Sequence, residues 1–67
     1  MKKIFIRLQQ IESKGYYYRM VANPNTIDIK LYLNTDESSP EVNFLVDNTD
    51  DGRYSMYIYL YDFLIKL

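Results

Sequence analysis

Apolar and polar side chains alternate along most of this chain with a period of two, the spacing that sends successive residues to opposite faces of a β-strand. In KIFIRLQ, residues 3–9, Ile4, Ile6 and Leu8 fall on one face and Lys3, Phe5, Arg7 and Gln9 on the other, which predicts a first strand. Gly15, in ESKG, suits the positive φ of a hairpin loop. The aromatic and β-branched run YYYRMVA, residues 16–22, then predicts a second strand. NPNT, residues 23–26, reads as a turn: Asn23 can bond its own backbone, Pro24 presets φ, and Asn25 tolerates the third position. The cleanest alternation follows, with Ile27, Ile29, Leu31 and Leu33 against Asp28, Lys30, Tyr32 and Asn34, a third strand. NTDESSP, residues 34–40, is polar and proline-terminated and predicts a loop. EVNFLVD, residues 41–47, predicts a fourth strand with Val42, Phe44 and Val46 inward, and NTDDG reverses the chain. A fifth strand starts at Arg53 and includes YSMYIYLY, residues 54–61, where Met56, Ile58 and Leu60 alternate with tyrosines. The closing DFLIKL either continues that strand or relaxes into a short helical turn.

Five strands joined by short turns, with no amphipathic helical pattern of about ten residues, predict an all-β fold: a five-stranded antiparallel meander forming one small domain over residues 1–67. Ile29, Leu31, Phe44 and Ile58 are the expected core. A single sheet has no helix to cover that face, so it either curls into a small barrel or lies face to face on a second copy. Length sharpens the problem. A chain of 67 residues has a thin stability margin, and with no cysteine and no histidine it has neither a disulfide nor the usual structural zinc site. Association is the remaining staple, and a dimer is expected.

The formal charge of −1 conceals an asymmetry. Six of the eight basic residues lie in residues 1–30, whereas residues 31–52 carry Asp36, Glu37, Glu41, Asp47, Asp50 and Asp51 and no basic residue. Such a dipolar chain steers charged partners, but its balance opposes generic binding to polyanions. No apolar run reaches the ~20 residues of a membrane span. The start MKKIFIRLQQIESKG lacks the apolar core of a signal peptide, so a cytoplasmic protein without membrane association is expected.

In the five-stranded arrangement Tyr57, Tyr59 and Tyr61 share a face with Tyr32 and Arg7. Aromatics interleaved with cations on a sheet make a stacking platform for single-stranded nucleic acid. The same residues make a protein interface, where tyrosine and arginine are enriched, and they also make an ordinary strand exterior. The acidic segment, Asp36, Glu37, Asp50 and Asp51 in particular, imitates a run of phosphates toward a basic partner. DNTDDG, residues 47–52, resembles the first half of a calcium loop, but Ile58 stands where the last ligand belongs, so no metal is expected. Neither a nucleophile–histidine pair nor a glycine-rich phosphate cradle exists, so neither an enzyme nor a cofactor is expected. The residues therefore suggest a non-enzymatic binding protein that occludes a partner macromolecule. Its richness in Tyr, Ile, Lys, Asn and Asp is the flavour of AT-rich genomes, which suggests an inhibitor of a host protein complex carried by a phage or mobile element. A single-stranded nucleic-acid-binding β domain and a structural subunit of a larger assembly are the alternatives.

Overall fold

The computed structural model describes residues 1–33 and 39–67. The elements run in the order α1 (Lys2–Glu12), β1 (Tyr17–Ala22), β2 (Thr26–Tyr32), β3 (Val42–Asp47) and α2 (Asp50–Ile65). The three strands form one antiparallel sheet with β2 in the centre. Both helices pack on the same face of that sheet.

The strands follow the alternation expected of them as far as Leu31, whereas Leu33, expected inward, lies beyond β2 and is exposed. Ile27, Ile29 and Leu31 of β2 point inward and are fully buried. Met20 of β1 pairs with Ile29, which pairs in turn with Phe44 of β3, so one row of side chains crosses the sheet beneath the helices. The β1–β2 turn works as its residues suggest: the Asn23 Oδ1 accepts from the Asn25 and Thr26 amides at 2.9 and 2.8 Å. The Asn48 side chain donates to the Asn23 carbonyl at 2.7 Å and its amide donates to the Asn25 carbonyl at 2.8 Å. These two bonds tie the β3–α2 connection to the β1–β2 turn.

The expected first and fifth strands are helices, so the fold is α+β and not an all-β meander, barrel or stacked sheet. The reason lies in a shared spacing. Ile4 and Leu8, or Met56 and Leu60, stand four apart, and a period of two and a helical turn both place such a pair on one face. The residues between them decide the matter. Ile6 and Ile58, inward in a strand, are 48% and 40% exposed, whereas Ile11, seven beyond Ile4, is buried. Helical ends agree with this reading. Gly15, with φ of 97°, donates to the Glu12 carbonyl at 2.9 Å, so its positive φ closes α1 and not a hairpin. Thr49 caps α2 by accepting from the Gly52 amide at 3.0 Å, and Asp50 and Asp51 place negative charge in the first turn, where the helix dipole favours it. NTDDG is a helix start.

Ile4, Leu8, Ile11, Ile27, Ile29, Leu31, Met56 and Leu60 form the buried cluster, so α1, the central strand and α2 share one core. Tyr59 of α2 stacks on Phe44 of β3, with ring centroids 5.5 Å apart, so Phe44 is half-buried at the border of the core. Along the helix–helix contact, Ile4 lies beside Arg53 and Tyr54, and Arg7 reaches Tyr57 and Tyr61. Tyr16, just beyond α1, meets Phe63 edge to face. The two helices therefore run side by side in the same direction. Among the described residues no helix is long and apolar enough to cross a membrane.

Candidate functional site

Beyond its charged first turn, helix α2 carries only Ser55 and Asp62 among apolar and aromatic side chains, yet only one of its sides meets the sheet. Met56 and Leu60 face inward. Tyr54, Ile58, Tyr61 and Ile65 face out, at 67, 40, 45 and 59% exposure. Their spacing of four, three and four holds them within about 60° of arc on a helix of 3.6 residues per turn. This is a continuous apolar stripe turned to solvent.

The two flanks of the stripe differ in charge. On the side of α1, the Arg7 guanidinium lies over the rings of Tyr57 and Tyr61, 4.9 and 4.7 Å from their centroids. It donates to the Tyr57 hydroxyl at 2.8 Å and to the Gln10 Oε1 at 3.0 Å, while its buried Nε finds no acceptor. The cation is thus held at the rim by two rings and two hydrogen bonds. Toward the start of the helices, Lys2, Lys3, Arg53, Ile4, Tyr54 and Tyr57 line a groove of about 330 Å³. The opposite flank, which borders β3, carries Asp51, Ser55 and Asp62.

Of the expected site residues, Arg7, Tyr57 and Tyr61 are brought together, by helix packing and not by a shared strand face. Tyr59 points away from them onto Phe44. Tyr32 does not join any exposed face: it is 3% exposed, on the side of the sheet away from the helices, opposite Tyr17. The aromatic sheet platform therefore does not form. Asp50 is ion-paired with Arg53 at the start of α2, and Asp51 is exposed beside it. Asp36 and Glu37 lie outside the described residues. The half calcium loop is divided between the end of β3 and the first turn of α2, with the Asn48 Oδ1 accepting from Arg53 at 2.8 Å. Among the described residues no group of three acidic side chains is placed to hold a metal ion.

Sequence reasoning missed Tyr54, Ile58 and Ile65. The signal was present in the four–three–four spacing from Tyr54 to Ile65, which belongs to a helix. Alternation with Met56 and Leu60 masked it. No protein-family model, curated protein or solved structure gives a significant match to this chain.

Proposed function

We propose that this chain is a non-enzymatic protein-binding domain that works by covering an apolar surface of a protein partner with the outward face of α2. The observation that carries this reading is the exposed stripe of Tyr54, Ile58, Tyr61 and Ile65. A helix that only covers its own sheet gains nothing from four apolar side chains in water, where charged residues normally stand. Two tyrosines and a ring-held arginine supply the anchors that dominate interface energetics, and the charged flanks supply a rim. The acidic flank of Asp51 and Asp62 opposes a polyanionic ligand on the same face. The test is retention of a protein partner, whether from the native host or as free copies of the chain itself, by the immobilised chain and by its Ile58→Glu variant. Because Ile58 lies outside the core, the variant is expected to keep its circular dichroism and melting temperature while losing the retained protein. Equal retention by both would overturn the proposal.

A further inference from the structure

We infer that the surface covered by this face is the same face of a second copy, in a dimer whose two α2 helices run parallel. The inference rests on the reading that the outward face of α2 binds protein, and it names the partner. Three strips cross the helix layer in order: a basic strip on α1, the apolar stripe on α2, and an acidic strip on the far flank of α2. Lys3 and Arg7 form the first strip. Asp51 and Asp62 form the last, with Ser55 between them and Lys66 one turn beyond Asp62.

A two-fold axis parallel to the helices exchanges left and right without reversing height. It therefore lays the basic strip of each copy against the acidic strip of the other, on both sides at once. Heights also agree. Lys3 lies level with Tyr54, near Asp51, and Arg7 is level with Tyr57 and Tyr61, next to Asp62 in the sequence. A two-fold axis perpendicular to the helices instead sets basic strip against basic strip, Arg7 facing Arg7. Pairing of Lys3 and Arg7 with Asp51 and Asp62 thus favours the parallel arrangement. On the axis itself, the spacing of Tyr54, Ile58, Tyr61 and Ile65 is that of the inner positions of a short parallel coiled coil, where each side chain meets its own counterpart. Ile6, 48% exposed on the outward side of α1, widens the apolar contact. Neither Lys3 nor Asp62 has an ion pair among the described residues, so both are available across the axis.

The chain has no cysteine, so single-cysteine variants report the arrangement directly. Sedimentation should show a dimer by about 100 μM that dissociates on dilution, and a monomer at that concentration would overturn the inference. Under mild oxidation, Tyr54→Cys and Ile65→Cys should each form a disulfide-linked dimer alone, because each end of the stripe meets its own counterpart. Asp62→Lys should weaken the dimer about three- to tenfold, with the loss shrinking as salt rises. Ile58→Glu should give a folded monomer. Cross-linking only when Tyr54→Cys and Ile65→Cys are mixed would replace the parallel dimer by an antiparallel one. A monomer that still retains a host protein through Ile58 would overturn the second copy and leave the binding face standing. A dimer unaffected by Ile58→Glu would overturn the inference by placing the contact elsewhere.

Discussion

Gly52 stands one turn into α2 where a side chain cannot: a Cβ there would lie 1.8 Å from the Asp47 carbonyl oxygen, a backbone atom that moves only with the end of β3. Alanine normally stabilises a helix interior by about 1 kcal/mol relative to glycine. Here the steric conflict opposes that gain, since forcing a methyl group into a packed site costs roughly 1–3 kcal/mol. Gly52→Ala is therefore expected to lower the urea midpoint, and a raised midpoint would show that the β3–α2 connection shifts freely. Met56 and Ile58 offer a second test, because they stand two apart and differ in surroundings: Met56 is fully buried and Ile58 is 40% exposed. Met56→Ala should cost about 2–5 kcal/mol. Ile58→Ala, measured in dilute solution where association does not contribute, should change stability by under about 1 kcal/mol. Similar losses at both positions would contradict a helix here.

At the scale of elements, β1, β2, β3 and the Asn23–Thr26 turn were legible because period-two alternation and turn chemistry are local properties. The helices were not, because their buried residues Ile4, Leu8, Met56 and Leu60 satisfy both periods. The β-favouring tyrosines of YSMYIYLY and the β-branched Ile58 added weight to the wrong one. Intrinsic β preference spans only about 1 kcal/mol per residue. Against it stand the Thr49 cap, two acidic residues in the first turn, and the burial of Met56, Leu60, Phe63 and Leu64 on the one sheet face that needs a cover. Tertiary packing prevails over propensity. The same confusion explains the candidate site: Arg7, Tyr57 and Tyr61 were found for a geometry that does not exist, and Tyr54, Ile58 and Ile65 were hidden by it. If the cap matters as described, Thr49→Ala should destabilise the protein by about 1 kcal/mol, visible as a lower melting temperature of the helical circular dichroism signal. A spectrum without helical minima would refute the element assignment itself.

For the whole molecule, the contact between Arg7 and Tyr57 joins residues 50 positions apart. The sheet is assembled from neighbouring strands, so the first and last elements alone depend on meeting across the chain. Helix α1 has no side-chain cap at its start, two lysines where the dipole favours acids, and only 11 residues. It is therefore expected to open first. Native-state hydrogen exchange should show the amides of β2 as the slowest and those of α1 as measurably faster than those of α2, while uniform protection would show a single cooperative unit. Parallel packing of α1 and α2 also bears on the order of folding. Closing a loop of about 50 residues costs roughly 3–4 kcal/mol of chain entropy. That cost is met only when Met56 and Leu60 arrive to join Ile4 and Leu8. Until residues 50–65 pack, the sheet offers Ile27, Ile29 and Leu31 beneath a helix that has no neighbour to hold it. A folding chain thus passes through an interval with an open apolar face, and the sixteen-residue α2 is the piece that closes it.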